Sequence, residues 1–404
     1  MYPSYSTLLV LFATTLVSQT VAASTSQQGI VLPAQLGPYP ISIYQHEVRT
    51  SRPDPLASTP QLRRLMITIY RPFLDSFACP LEHQSHVNYI DPVVATALLG
   101  NLPLNTSALE SSFTNQSSIL ADVKLTNCSR PILPSSVNAP IILFSPGYGG
   151  IQSGYASLLS TVASSGYTVI GIDPTYEAAA VVFPDGYVAY SSNATDAYDN
   201  STMGQNFLQA VRIADAISVL DAIEEGNLPG LDHHASSSNK SRLLRTAMLG
   251  HSFGGSTAVN VALVDDRVVA AANIDGPYYE PVSNRTIGKP VFMMQSSTLS
   301  PTETEWPDFY ETNLKGWKSW VQPNNTEHYS FTDLPQLADL LGLRGTVFPE
   351  ELIGTVNSQR LQEIVWRYMV QFFDHVLGYM PASLLNESSA EFPDVDFVAS
   401  DTDG

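Results

Sequence analysis

The stretch GHSFGG at residues 250–255 places a serine among small residues, directly after the apolar run LLRTAML. The pattern G-x-S-x-G is typical of a nucleophile elbow, in which a serine occupies the sharp turn between a strand and a helix. The apolar run predicts that strand, and the following GSTAVNVALV predicts the helix. Ser252 is therefore the candidate nucleophile. Gly250 and Gly254 fit the same interpretation, because side chains two positions either side of the serine would collide with neighbouring strands.

The candidate base is a histidine downstream of this serine. A serine hydroxyl becomes a good nucleophile when a histidine accepts its proton and a carboxylate holds that histidine in the right tautomer. In chains with this kind of elbow, the acid and then the histidine follow the serine. His375 lies inside an amphipathic helical pattern, which explains it without catalysis. His328 lies in the loop-like NNTEHYSFTDLP, after the possible strand WKSWV, and is the candidate base.

The choice of acid stays open on the residues alone. Asp275 ends the apolar run VVAAANID, and strand ends at the carboxyl edge of a parallel sheet are where sites assemble. Glu303, which follows the next strand, is the alternative. Asp333 lies too close to His328 in sequence to be attractive. We favour Asp275.

Acyl transfer also needs donors for the negative oxygen of the tetrahedral intermediate, usually two backbone N–H groups. The N–H of Phe253, directly after the serine, is one candidate. The other is the N–H of Tyr148, in the turn FSPGYGG that follows the first clear strand.

The elements that must position these residues alternate between strand and helix from residue 139 onward. This alternation predicts an α/β fold, with a mostly parallel sheet covered by helices on both faces. The predicted strands are IILFS, YTVIGID, LLRTAML, RVVAAANID and PVFMMQS, and the predicted helices cover 154–165, 204–225 and 358–377. VVFPDGYVAY predicts a hairpin, because Pro-Asp-Gly favours a turn.

The domain organisation predicted from these patterns is a single α/β domain over 24–386. It comprises an N-terminal elaboration at 24–138 and a catalytic core at 139–386, and an acidic tail follows at 387–404. Within the elaboration, RLMITIYRP predicts a strand at the edge of the sheet. Asp91 followed by Pro92 predicts the start of a helix.

Several features predict export from the cell. Residues 1–23 contain no charged side chain, carry an apolar stretch and end in small residues, as a signal peptide cleaved before Ser24 would. Cys79 and Cys128 are the two cysteines, and in an oxidising compartment they would form one disulfide. The chain has nine N-x-S/T glycosylation sequons, at Asn105, Asn115, Asn127, Asn193, Asn200, Asn239, Asn284, Asn324 and Asn386.

The charge balance limits the possible partners. The formal net charge is −19, from 38 acidic and 19 basic residues, so nucleic acid and strongly anionic membranes are unfavourable partners. After the presumed signal no stretch reaches the length of a transmembrane helix, and we expect at most peripheral contact with a lipid surface. No cysteine or carboxylate cluster completes the pair His233 and His234, so we expect neither a metal nor another cofactor.

Taken together, FSPGYGG, YTVIGID, GHSFGG, the aspartate 23 residues after the serine and the histidine in EHYSFTDLP resemble the platelet-activating factor acetylhydrolases of the secreted, phospholipase A2 type. The resemblance covers 139–345 well. It implies an α/β-hydrolase fold, a calcium-independent Ser-His-Asp mechanism and hydrolysis of short or oxidised sn-2 acyl chains of glycerophospholipids such as 1-alkyl-2-acetylglycerophosphocholine. It also favours Asp275 over Glu303. Pro146 departs from the family pattern, since members typically place a histidine before the glycine of that turn.

Other functions are compatible with the same residues. A general lipase, a polyester-cleaving esterase and an esterase for a small secreted metabolite would all use this chemistry. A catalytically inactive binding protein on the same fold is an alternative of another class, because fold alone does not dictate function.

Overall fold

The computed structural model describes residues 30–33, 35–101, 104, 120–130, 139–191, 201–231, 246–378 and 381–401. The strands within these ranges are β1 (Ile41–Pro53), β2 (Leu62–Pro72), β3 (Gln84–Asn88), β4 (Lys124–Cys128), β5 (Ile141–Ser145), β6 (Thr168–Asp173), β7 (Ala180–Val182), β8 (Val188–Tyr190), β9 (Thr246–His251), β10 (Val268–Ile274), β11 (Val291–Met294), β12 (Lys318–Pro323) and β13 (Val395–Asp401). The α-helices are α1 (Pro92–Asn101), α2 (Ala156–Ser164), α3 (Thr202–Glu224), α4 (Phe253–Val264), α5 (Trp306–Thr312), α6 (Leu334–Leu341), α7 (Glu350–Ile353), α8 (Ser358–Val376) and α9 (Ser383–Asn386). Short 3-10 helices cover Leu81–His83, Gln152–Tyr155, Val282–Asn284, Pro301–Glu303 and His328–Phe331.

Within the described part of the chain, nine strands form one sheet in the order β1-β2-β6-β5-β9-β10-β11-β12-β13. The six strands from β6 to β12 run parallel to one another. At the two sides of the sheet, β1, β2 and β13 pair antiparallel to their neighbours. The predicted mostly parallel sheet is therefore confirmed.

Both faces of the sheet are covered, which explains why its central strands read as continuous apolar runs. All five residues of β5 are buried, as expected for a parallel strand that lies between two helical layers. One apolar cluster contains residues of α2 and α8, and a second contains residues of α3, α4 and α5. The predicted helices match α2, α3 and α8 to within two residues at each end.

The sheet extends further at both ends of the chain than the sequence predicted. The stretch predicted as an edge strand is β2, but β1 pairs along its outer side and forms the edge instead. The region 24–138 therefore supplies two strands of the central sheet. Helix α1 begins after Asp91 as predicted, and the Asp91 carboxylate accepts the N–H of Val93 at 2.8 Å.

The prediction of an acidic tail over 387–404 is wrong for its described part, because Val395–Asp401 is the strand that pairs with β12. Phe392 and Val395 are buried in the apolar cluster and anchor this segment despite its negative charge. The short helix α9 also follows the helix that the sequence predicted to be the last.

Cys79 and Cys128 form the predicted disulfide, with their Cα atoms 5.8 Å apart. The sequon at Asn127, however, is a wrong prediction of a glycan site. Its side chain is buried, its Oδ1 accepts the N–H of Ile43 at 2.8 Å and its Nδ2 donates to Ser85 Oγ at 3.0 Å. Asn284 and Asn386 are exposed and Asn324 is half-buried. The sequons at 105, 115, 193, 200 and 239, the segment 1–23 and the histidines at 233 and 234 lie outside the described residues.

Candidate active site

The serine of GHSFGG lies at the turn between β9 and α4. Strand β9 ends at His251, helix α4 begins at Phe253, and Ser252 has φ 56° and ψ −127°. A positive φ is rare for a residue with a side chain and indicates a strained turn. This backbone presents the Ser252 side chain at the carboxyl edge of the sheet, as expected for an elbow.

The two flanking glycines are required by the closeness of the backbone around the turn. A Cβ atom on Gly254 would lie 2.0 Å from the carbonyl oxygen of Ser145, at the end of the neighbouring strand β5. A Cβ atom on Gly250 would lie 1.9 Å from the carbonyl oxygen of Gly254. The predicted collision with a neighbouring strand therefore applies to Gly254, whereas Gly250 makes room for the first turn of α4.

Three polar side chains form a hydrogen-bonded line at this edge. His328 Nε2 lies 2.9 Å from Ser252 Oγ, and His328 Nδ1 lies 2.7 Å from Asp275 Oδ2. Asp275 follows β10 directly, and His328 begins the 3-10 helix that comes after β12. Glu303, the alternative acid, lies in the 3-10 helix Pro301–Glu303. The carboxylate that contacts His328 is that of Asp275.

The electrostatics of Asp275 support a charged acid. Burial raises the pKa of Asp275, but the hydrogen bond and charge of His328, together with the Ser296 N–H at 2.7 Å, outweigh burial and hold the pKa below its ordinary value. The ionised carboxylate can only accept, so His328 Nδ1 carries a proton and donates it to Asp275. In the neutral ring, Nε2 is then left to accept the hydroxyl of Ser252.

The two residues predicted to supply the oxyanion donors have neighbouring side-chain rings. Phe253 is the first residue of α4, and the N–H groups of the first turn of a helix have no acceptor within that helix. The ring of Tyr148 lies 6.1 Å from the ring of Phe253. A Cβ atom on Gly147 would lie 3.3 Å from Ser252 Cβ, so the turn that carries Tyr148 is in contact with the serine.

A buried arginine, which the sequence analysis missed, binds the backbone of the turn that carries Tyr148. Arg212 of α3 donates to Ser145 Oγ and to the carbonyl oxygen of Gly147, each at 3.0 Å, and to the carbonyl oxygen of Pro146. Its guanidinium pairs with Glu177, which is equally buried. Because these bonds occupy the carbonyl side of the turn, they restrict how its N–H groups can rotate. The signal available in the sequence was a single arginine within an apolar helical pattern.

A second histidine, His251, lies under the site and was also missed. Its side chain is 2% exposed, and its ring lies 4.7 Å from the ring of His328. Burial, with a smaller contribution from the neighbouring His328, lowers the pKa of His251 to about 3. It is therefore neutral at physiological pH.

Aromatic rings lie close to Phe253, the residue that follows the candidate nucleophile. Tyr279 lies 5.1 Å from Phe253, measured between ring centroids, and Tyr148 is partly exposed. Tyr278 turns away and stacks on Phe309 at 3.5 Å.

In the ranges that the structure describes, no group of three or more His, Cys, Asp or Glu side chains is arranged to hold a metal ion. None of the helices within these ranges is both long and apolar enough to cross a membrane.

Comparison with known proteins places the chain in a family. The profile of the family described as platelet-activating factor acetylhydrolase, isoform II, matches residues 112–382. A probable 1-alkyl-2-acetylglycerophosphocholine esterase of Arthroderma benhamiae is 29% identical over 272 residues, which are 64% of this chain and 66% of that protein. A platelet-activating factor acetylhydrolase of Cavia porcellus is 25% identical over 246 residues, which are 55% of this chain and 56% of that protein. Each match spans less than two thirds of the relative.

Among solved structures, a ferulic acid esterase from Streptomyces cinnamoneus is similar to this chain with a TM-score of 0.72 and 28% identity. The similarity covers 92% of this chain and 100% of that one, and it supports the α/β-hydrolase fold. The family profile matches more than half of the chain. The chain therefore belongs to the platelet-activating factor acetylhydrolase isoform II family.

Proposed function

We propose that this chain is a serine hydrolase of carboxylic esters, in which Ser252 is the nucleophile, His328 the base and Asp275 the acid. The observation that carries the proposal is the line of hydrogen bonds from Ser252 Oγ to His328 Nε2, at 2.9 Å, and from His328 Nδ1 to Asp275 Oδ2, at 2.7 Å. Separate strands supply these three side chains, and a line of this kind activates a serine hydroxyl.

The proposed reaction proceeds through an acyl-enzyme. His328 accepts the proton of Ser252 as Oγ attacks the ester carbonyl carbon, and the N–H groups of Phe253 and Tyr148 stabilise the resulting oxyanion. Protonated His328 then gives its proton to the leaving alcohol. A water molecule, deprotonated by His328, attacks the acyl carbon, and His328 returns that proton to Ser252 Oγ as the carboxylic acid leaves. No step in this sequence needs a metal ion or an organic cofactor.

For the substrate, we propose an ester with a short or oxidised acyl chain, in the class of 1-alkyl-2-acetylglycerophosphocholine. The names of the two relatives support this class. An aromatic acid ester is the second candidate. Support for it comes from the similarity to a ferulic acid esterase and from the rings of Tyr148 and Tyr279, which lie close to the ring of Phe253, the residue after the serine.

We also propose that the protein is exported and glycosylated. The Cys79–Cys128 disulfide supports an oxidising compartment, and the exposed side chains of Asn284 and Asn386 are accessible to glycosylation.

The test of the activity is labelling by an alkyl fluorophosphonate, which reacts with activated serines. The unsubstituted protein should be labelled, and Ser252→Ala should not. A folded protein that resists the reagent would instead support the inactive binding protein.

The test of the substrate is a panel of acetyl, butyryl and palmitoyl p-nitrophenyl esters, 1-alkyl-2-acetylglycerophosphocholine and methyl ferulate, each with and without a calcium chelator. We expect fastest turnover of the short acyl esters and no effect of the chelator. Rapid palmitoyl turnover restricted to an oil surface would identify a lipase, and loss of activity with chelator would contradict the metal-free reaction.

A further inference from the structure

The histidine in GHSFGG lies beneath the site rather than in it. His251 is the last residue of β9, and its ring packs between Tyr155, at 5.5 Å, and His328, at 4.7 Å, measured between ring centroids. Within the described residues, no hydrogen bond joins the His251 ring to Ser252 Oγ. Its two ring nitrogens are nevertheless both engaged.

The directions of the two hydrogen bonds of the His251 ring follow from the partner of Nε2, which can only accept. His251 Nε2 lies 2.9 Å from the backbone carbonyl oxygen of His328, which can only accept, so Nε2 carries the proton. Because burial keeps the ring neutral, Nδ1 carries none and must accept. Its partner is the hydroxyl of Tyr155, at 2.8 Å.

The Tyr155 hydroxyl continues the line in the same direction. The Tyr155 hydroxyl donates a hydrogen bond to His251, and its oxygen accepts a hydrogen bond from the Gly147 N–H at 3.1 Å. The complete chain runs from the Gly147 N–H to Tyr155, from Tyr155 to His251, and from His251 to the carbonyl of His328. Tyr155 and His251 each donate one hydrogen bond and accept one, the Gly147 N–H only donates and the His328 carbonyl only accepts, so the directions fit together in one way only.

The two ends of this line of hydrogen bonds lie at two parts of the proposed active site, the oxyanion turn and the base. Gly147 directly precedes Tyr148, a proposed oxyanion donor, and His328 is the proposed base. Asp275 holds the ring of His328, whereas His251 holds its backbone. The Ser330 N–H donates to the Glu327 carbonyl within the same segment at 2.9 Å, and Ser297 Oγ donates to the Thr326 carbonyl from another segment at 3.1 Å. The hydrogen bond from His251 to the His328 carbonyl ties the backbone of this segment to the elbow.

We propose that His251 is a positioning residue. Through the line of hydrogen bonds Gly147–Tyr155–His251–His328, it fixes the positions of the base and of the oxyanion turn relative to Ser252. This inference rests on the proposed serine hydrolase activity. A buried histidine that only fills space would affect the stability of the fold and leave the reactivity of Ser252 in the folded protein unchanged. The two roles therefore differ in what they do to rate.

The experiment compares His251→Leu, His251→Gln and Tyr155→Phe with the unsubstituted protein. The amide nitrogen of Gln can reach the position of imidazole Nε2 and donate to His328, whereas Leu fills the space without a donor. His375→Leu and His375→Gln are matched controls, because His375 lies in α8 against Trp317. Three quantities are measured: the second-order rate of fluorophosphonate labelling, kcat and KM for p-nitrophenyl acetate, and the melting temperature.

We expect His251→Leu to slow labelling and to lower kcat by on the order of 10- to 100-fold, with a much smaller change in KM, because displacement of a catalytic group by about 1 Å has effects of this size. His251→Gln should recover most of the loss. Tyr155→Phe should slow labelling several-fold, and combining it with His251→Leu should lose little more than His251→Leu alone, since one chain is broken only once. The His375 controls should react at the unsubstituted rate.

The proposal is overturned if folded His251→Leu is labelled at the rate of the unsubstituted protein. If His251→Leu does not fold, labelling of folded Tyr155→Phe at the unsubstituted rate overturns it instead. It is also overturned if His251→Gln is as slow as His251→Leu, or if the two single effects multiply in the double variant. Failure of the unsubstituted protein to label would overturn the serine hydrolase itself, so the two failures are distinguishable.

Discussion

At the scale of single residues, the backbone of the proposed acid, like that of the proposed nucleophile, is held by buried hydrogen bonds. Asp275 has φ 52°, and the turn behind it is closed by Asn273, whose side chain accepts the Gly276 N–H at 3.0 Å and donates to the Gly276 carbonyl at 2.9 Å. The Ser252 N–H in turn donates to the carbonyl of Ile274 at 2.8 Å. Backbone strain at both residues is thus supported by buried hydrogen bonds, as expected where geometry matters for reaction.

Asp275→Asn is expected to lower kcat by on the order of 10³- to 10⁴-fold while the protein stays folded. The neutral amide keeps the size of the carboxylate, but it no longer favours the His328 tautomer that leaves Nε2 free, nor does it stabilise the charged ring. Steady-state kinetics on p-nitrophenyl acetate measure the loss. Glu303→Gln is the control, and retention of activity by Asp275→Asn together with its loss in Glu303→Gln would reassign the acid.

At the scale of elements, the sheet order explains why residues distant in sequence meet. Strands β5, β9 and β10 are neighbours, and β12 lies two strands beyond β10. Their carboxyl ends therefore bring together the oxyanion turn, Ser252, Asp275 and His328, which is the general location of sites in such sheets. Arg212, from a helix on the other side of the turn, completes the support.

The elbow makes a steric prediction that a matched glycine can test. Gly254→Ala should abolish fluorophosphonate labelling or reduce it at least 100-fold, because the new Cβ would lie 2.0 Å from the Ser145 carbonyl oxygen and the turn must shift. Gly154→Ala is the control, since a Cβ there would meet nothing within 4 Å and Gly154 has no positive φ. Normal labelling of Gly254→Ala would show that the turn has more room than this structure gives it.

At the scale of the whole molecule, the disulfide and the buried carboxyl group of Asp173 should affect stability. Cys79 and Cys128 are 49 residues apart, and closing a loop of that length stabilises the fold by about 4 kcal/mol in the chain-entropy model. We expect the double variant Cys79→Ala, Cys128→Ala to lose about 2–4 kcal/mol of unfolding free energy in urea titrations. Labelling of Ser252 should persist at low denaturant, because neither cysteine contacts the site. An unchanged urea midpoint would contradict the expectation.

The titration of Asp173, at the end of β6, should make the unfolding free energy depend on pH. Burial raises the pKa of Asp173 to about 7, opposed by the Gln152 N–H at 2.8 Å. The folded protein thus holds this proton more tightly than the unfolded chain, so the stabilisation is complete below pH 4 and is lost as the pH rises towards 7.

Asp173→Asn removes that titration and keeps an acceptor for Gln152. The stability of this variant relative to the unsubstituted protein should therefore improve by on the order of 2–4 kcal/mol between pH 4 and pH 8. Comparing the two proteins at each pH cancels the other titrating groups, including His251 and Asp333. A difference that stays constant between these pH values would mean that burial does not raise the pKa of Asp173 in the folded protein.

Features that depend on neighbouring positions in the chain could be predicted from the sequence by itself. These include the elbow around Ser252, the apolar runs of the central strands, the helix after Asp91 and the pool of candidate acids and bases. The resemblance of these stretches was also enough to identify the family, because motif residues and their spacing are local information.

Only the tertiary structure decided which groups face one another. It placed the carboxylate of Asp275 against His328, it buried Asn127 against Ile43, and it turned the presumed acidic tail into the strand β13. It also joined Tyr155 to His251 across 96 positions of sequence. Such contacts depend on strand order and on the direction of side chains in the packed core, which no local pattern encodes, because burial and hydrogen bonding are settled jointly by segments far apart in the chain.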